Sequence, residues 1–193
     1  MKPFGKNLSE RALRWIRWHE KLINFTQKHL NDKQFVIISG VLIGITSALA
    51  AILLKGMVFY INGFLFNQVS TGHISEYLYA LFPLVGIVAT AIIVEYRFRG
   101  NLGGGSSAIM YSITRKESKV TIHLMYAHIF TSAITVGTGG STGLETPIVT
   151  TGAAIGSNYG KTYKVKPEER TIMLACGVAA GIAATFNAPI AGV

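Results

Sequence analysis

Between Val120 and Gly160 one residue carries a full charge at neutral pH, Glu145. It closes a glycine-rich run, Gly137-Thr138-Gly139-Gly140-Ser141-Thr142-Gly143-Leu144-Glu145-Thr146-Pro147. Holding an ionised carboxylate in apolar surroundings costs about 2.5 kcal/mol or more, so such an acid needs a partner or a reason to titrate. The glycines let the chain leave regular structure, and Pro147 suits the first turn of a new helix, where no amide hydrogen is required. Glu145 is therefore placed at a helix N-terminus within an apolar region. One reading is structural: the acid caps its own helix by accepting bonds from first-turn amides. The other is functional. The carboxylate occupies the position an anion would take, and on protonation it swings away and opens that position, acting as an ion gate and a proton carrier.

A second glycine break, Gly103-Gly104-Gly105-Ser106-Ser107, precedes a short apolar segment from Ala108 to Ile113 and offers the Ser106 hydroxyl as a donor. His123 and His128, five residues apart, do not share a helix face and read as buried hydrogen-bonding residues rather than ligands or proton relays. Asn187 and Pro189 read as a helix end. Two enzyme patterns overlap the Glu145 stretch. Gly137 to Gly143 has the form GxGxxxG, but no βαβ pattern surrounds it and no Walker lysine follows, so a nucleotide loop is set aside. Gly139-Gly140-Ser141-Thr142-Gly143 fits GxSxG, and with His123 or His128 it would make an intramembrane serine hydrolase with Ser141 as nucleophile. That alternative leaves Glu145 without a role. The single cysteine, Cys176, excludes an internal disulfide, and no metal-ligand spacing occurs.

These residues lie in a chain that is 50% hydrophobic and 14% charged, with mean hydropathy +0.41. Soluble domains carry about 25% charged residues, so the composition points to a membrane protein, and its apolar runs of helix-spanning length, set out below, make it all-α and polytopic. The net charge of +9 does not indicate nucleic acid, because the basic residues alternate with long uncharged runs. Residues 8 to 30 place Trp15, Ile16, Leu22 and Ile23 among Arg11, Arg14, Arg17 and Lys21, a basic amphipathic helix suited to a membrane surface. This polar N-terminus lacks the form of a secretory signal. Residues 1–34 are accordingly assigned as a cytoplasmic helical segment and 35–193 as the transmembrane domain.

Phe35 to Leu54 is an uncharged run of 20 residues, enough for a ~30 Å hydrocarbon core, and apolar character resumes after Lys55, implying a longer tilted helix. Tyr77 to Val94 forms the second run. Eight Lys or Arg precede Phe35, Lys55 alone lies between the first two runs, and five fall between Arg97 and Lys119. The positive-inside rule then puts the N-terminus and the 95–119 loop in the cytoplasm. The 161–170 loop is basic again, so the chain from Val120 to Gly160 must enter the bilayer and return around its glycine break. Thr146 to Gly160, 15 residues, reads as a half-helix. Thr171 to Val193 is rich in small residues suited to close helix packing. The chain stops within an apolar segment and reads as part of a longer protein. Two broken helices are a recurrent way to aim positive helix ends at one anion near the midplane.

Gly143-Leu144-Glu145-Thr146-Pro147 resembles the GREGP motif of the CLC family of chloride channels and chloride/proton antiporters. The helix continuing through Gly156, the Glu168-Glu169-Arg170 triplet and the stretch from Cys176 to Gly192 resemble the same family, as does Gly105-Ser106-Ser107-Ala108-Ile109 against GSGIP. The resemblance runs from about residue 35 to the end. It implies the first half of an inverted-repeat fold, in a homodimeric, multi-pass membrane protein. In a bacterium this would sit in the inner membrane. It further implies a chloride channel or a chloride/proton antiporter rather than an enzyme, with no cofactor and with chloride as ligand and substrate. Glu145 would be the gating, proton-accepting glutamate, Ser106 the chloride-binding serine, and the amides of Leu144 and Thr146 part of the outer anion site. Leu144 replaces an arginine and Thr146 a glycine, which lowers the positive field there. Ser107 and Ile109 replace glycine and proline in the serine loop. The implied partners are chloride, protons and the lipid bilayer, with no nucleic acid. A fluoride-exporting member of the family is the alternative substrate reading, against which Ser106 argues.

Overall fold

The computed structural model describes residues 32–70, 81–98, 100, 102–103, 105–115 and 117–192. The amphipathic helix expected over residues 8–30 lies outside these residues, as do the start of the second apolar run and Gly104. Among the described residues six α-helices follow one another: α1 (Asp32–Ser70), α2 (Phe82–Phe98), α3 (Ser106–Arg115), α4 (Leu124–Gly137), α5 (Glu145–Thr162) and α6 (Pro167–Phe186), with a 3-10 turn at Pro189–Gly192. No strand occurs among the described residues. The chain divides into two compact units, 1–39 and 40–193. Of the first, the described residues are the opening turns of α1; the residues of the candidate site all lie in the second.

Lys55 does not end the first apolar helix. α1 continues to Ser70, 39 residues in all, or about 58 Å at 1.5 Å per residue, well beyond the ~30 Å core of a bilayer. The Lys55 ammonium reaches the end of α6 and donates to the Ala184 carbonyl at 3.0 Å. One stripe of α1, with Ile43, Ser47, Ala51 and Leu54, is buried, while Val41, Leu42, Ile45, Leu49, Ile52 and Leu53 face outward. A helix apolar on its exposed side as well as its buried side is suited to a lipid bilayer or to burial against further protein, not to water.

The most extensive helix pairing is α5 on α6, and glycine makes it close. Gly152 and Gly156 on α5 face Gly177 and the Met173 carbonyl on α6 so tightly that a methyl on any of the three glycines would collide with facing backbone atoms. A methyl on Gly181 would fall 2.8 Å from Ile148 Cγ2. Small residues four apart on both helices let the backbones approach where apolar solvent offers no hydrophobic drive. Proline at the first position of α6 and Glu169, which accepts from the Lys166 amide at 3.2 Å, define its start. Its end is the left-handed Asn187, φ 51, with the Ala188 amide bonded to Ala183 at 3.0 Å. The expectation that Asn187 ends a helix is met.

The 117–121 loop is fixed to α5 and α6. Ser157 Oγ donates to the Ser118 carbonyl at 2.5 Å and accepts from the Val120 amide at 2.9 Å. Asn158 donates to the Val120 carbonyl at 3.2 Å, and the Ser118 hydroxyl pairs with Thr171 at 2.6 Å. Arg170, buried, donates to the Glu117 carbonyl at 3.4 Å. Glu117 itself is exposed and bonded to Lys119 at 2.6 Å, which holds its carboxyl below the ordinary range.

Candidate functional site

Both glycine breaks deliver helix starts. Ser106 is the first residue of α3 and Glu145 the first of α5. At the first break, Gly103 and Gly105 adopt φ 72 and φ 60, a region closed to most side chains. At the second, the Gly139 φ of 95 turns the chain out of α4. The two breaks are in contact: a methyl group on Gly105 would lie 2.7 Å from Thr146 Cγ2. Residues 41 apart in sequence thus meet, and the start of α3 lies against the start of α5.

Glu145 and Thr146 are both exposed. The amides of a first helical turn have no intrahelical partner, and no side chain caps α5; its N-cap position is Leu144. Among the described residues the Glu145 carboxylate accepts no hydrogen bond and forms no ion pair. The self-capping role is therefore not the one it plays here. Leu144 packs on the cluster of Ala51, Leu54, Ile129, Ala133 and Ile148, which anchors the start of α5 in the interior. Thr150 donates to the Thr146 carbonyl at 2.8 Å. Ser106 and Ser107 are exposed at the head of α3. The arrangement sets unpaired amides, a free carboxylate and a hydroxyl within one neighbourhood, at the positive ends of two helices.

α5 is longer than the half-helix expected over Thr146 to Gly160. It spans 18 residues, through Lys161 and Thr162, about 27 Å. A lysine ends an apolar run, but it is a good helix former and need not end a helix. The short helix is α3, with 10 residues.

Behind the serine loop lies a cavity of about 140 Å³ whose wall includes Leu102, Gly103, Gly105 and Thr150. His128 Nε2 lies 3.0 Å from the Leu102 carbonyl. His123 stacks on Phe98 with ring centres 6.1 Å apart. Neither histidine approaches Ser141, which sits exposed beyond the opposite end of α4. From His128 to the end of α4 is about 14 Å of helix, whereas a nucleophile and its base must be within hydrogen-bond reach. The hydrolase constellation is not assembled. Nor is there a group of His, Cys, Asp or Glu fit to hold a metal ion among the described residues.

The profile of the family described as "Voltage gated chloride channel" matches residues 85–193, from α2 through the glycine breaks to the end of the chain. The chain belongs to the voltage gated chloride channel family. Its likeness to individual members of that family is distant but broad. It is 24% identical over 164 residues to the voltage-gated ClC-type chloride channel ClcB of Yersinia pseudotuberculosis, covering 81% of this chain and 39% of the relative. It is 44% identical over 59 residues to the H(+)/Cl(-) exchange transporter ClcA of Vibrio cholerae, covering 30% of this chain and 13% of that one. The fold matches the crystal structure of a slow cyanobacterial Cl-/H+ antiporter with a TM-score of 0.57 and 22% identity, over 81% of this chain and 37% of that one. The chain thus spans well under half the length of each of these proteins. The all-helical membrane fold of the CLC family, expected from the motifs, is the fold observed.

Proposed function

We propose that this chain is part of a longer CLC-type transporter that moves chloride across a membrane past Ser106 and Glu145. The observation that carries the proposal is the contact of the two helix starts at Gly105 and Thr146, which gathers the Ser106 hydroxyl, the amides of Leu144 and Thr146 and the Glu145 carboxylate into one place. Chloride takes the position at the start of α5 when Glu145 is protonated and leaves it to the carboxylate when Glu145 is ionised. The same group, loading a proton each time it swings away, couples chloride movement to protons. The relative named as an H(+)/Cl(-) exchanger supports this coupling by resemblance. The transmembrane domain begins near Phe35, after a cytoplasmic amphipathic segment, with the N-terminus inside by the excess of Lys and Arg before it. The working unit is a homodimer of multi-pass subunits without a cofactor.

The test is flux from liposomes carrying the full-length protein. Wild type is expected to show chloride efflux that changes with pH and chloride-driven proton uptake. Glu145→Gln is expected to keep chloride efflux while losing its pH dependence and the proton uptake. Efflux and proton uptake that are the same in both proteins contradict the role given to Glu145, and no chloride flux from either contradicts transport itself.

A further inference from the structure

The loop carrying Ser106 is short of packing. One side borders the cavity of about 140 Å³, formed in part by Leu102, Gly103 and Gly105 themselves. Gly103 and Gly105 have no side chains to anchor, and their positive φ angles belong to a conformation that glycine leaves as readily as it enters. Two of the contacts among the described residues hold the loop against this freedom. One is Thr146 against Gly105. The other is the hydrogen bond between His128 and Leu102 at 3.0 Å, reaching 26 residues along the chain from α4. A carbonyl can only accept, so Nε2 carries the proton and donates. His128 is half-buried in the first half of α4, where an uncharged stretch offers few side-chain donors, and in apolar surroundings a donor that finds an acceptor is strongly held.

We infer that His128 is a positioning residue for anion selection: its bond to Leu102 fixes the serine loop against the cavity and so sets where the Ser106 hydroxyl meets the permeating anion. The inference rests on the proposed role of Ser106. His128 does not touch the anion; it acts through the loop. Chloride, small and spherical, is favoured over larger planar anions such as nitrate only when the hydroxyl is held in place. A loop free to relax into the cavity accommodates both.

The experiment measures the chloride-over-nitrate flux ratio of the full-length protein in liposomes for His128→Leu, His128→Asn and His128→Gln, each alone and combined with Ser106→Ala. Gln places an amide nitrogen close to the position of Nε2, whereas Asn is too short. Leu and Asn are expected to lower the ratio about threefold to tenfold, the equivalent of one lost hydrogen bond, and Gln to stay within about twofold of wild type. In the Ser106→Ala background the three variants are expected to be alike. Should His128→Leu fail to fold, the Asn and Gln pair decides. A ratio unchanged in Asn and Leu while Ser106→Ala changes it overturns the inference and leaves the role of Ser106 standing, as does a His128 effect that persists without Ser106. A ratio unmoved by Ser106→Ala overturns the Ser106 reading and this inference with it.

Discussion

Thr146 does two things at once: its amide belongs to the open first turn of α5, and its methyl group rests on Gly105. The family motif has glycine at this position, so the methyl is this chain's own means of bracing one helix start against the other. Gly105→Ala is therefore expected to destabilise the protein by roughly 1–3 kcal/mol, combining left-handed strain with the collision at Thr146. Adding Thr146→Gly should restore the part due to the collision and leave the strain, measured by thermal unfolding in detergent. Equal unfolding of single and double variants contradicts the contact. At this scale Glu145 and Ser106 were legible because a lone charge and a glycine break stand out in apolar sequence. The Gly105 and Thr146 contact was not, since it joins residues 41 apart through a methyl group. Neither was the bond from His128 to Leu102, because any residue supplies a backbone carbonyl and the acceptor leaves no mark in the sequence.

Among the elements, α5 and α6 depend on glycines that admit backbone against backbone. Gly156→Leu is expected to separate them, at about 3 kcal/mol or more of stability, because the obstacle is the Met173 carbonyl and not a side chain that can turn aside. Gly63→Ala on α1, with nothing within 4 Å of the added methyl, should be neutral or stabilise by up to about 1 kcal/mol through helix propensity. Unfolding midpoints of the two variants in detergent check both expectations, and a Gly156→Leu protein as stable as wild type contradicts the seam. The small residues of Thr171 to Val193 could be read as a packing surface from composition, but the glycines they meet on α5, Gly152 and Gly156, could not. Helix ends were read less well where charge was taken as punctuation. Lys161 lies inside α5, as Lys55 lies inside α1 where the resumed apolar run had implied it, because an ammonium on a flexible stem marks access to water or to a carbonyl and does not interrupt backbone hydrogen bonding. The fastening of the 117–121 loop by Ser157, Asn158 and Thr171 escaped the sequence for the same reason as the His128 bond.

For the whole molecule, the outward faces of α1 and α2 present Ile37, Leu49, Leu53, Leu84, Val88 and Ile92 more than half exposed or close to it. Two helices, over Lys33–Asn67 and Pro167–Phe186, are long and apolar enough to cross a membrane. The full-length protein is accordingly expected to remain with membranes after alkaline carbonate and to come off with detergent; release by carbonate alone contradicts this. The class of fold was legible because apolar runs, basic loops and two glycine breaks agree with one another. How α3 and α5 meet had to come from three dimensions. That meeting underlies the central claim, that chloride and the Glu145 carboxylate compete for the start of α5. Chloride affinity of the full-length protein, followed by titration calorimetry as pH is lowered, tests it most directly. Wild type should bind chloride more tightly as Glu145 becomes protonated, and Glu145→Gln should bind tightly at every pH. The same pH dependence of chloride affinity in both proteins would contradict the account.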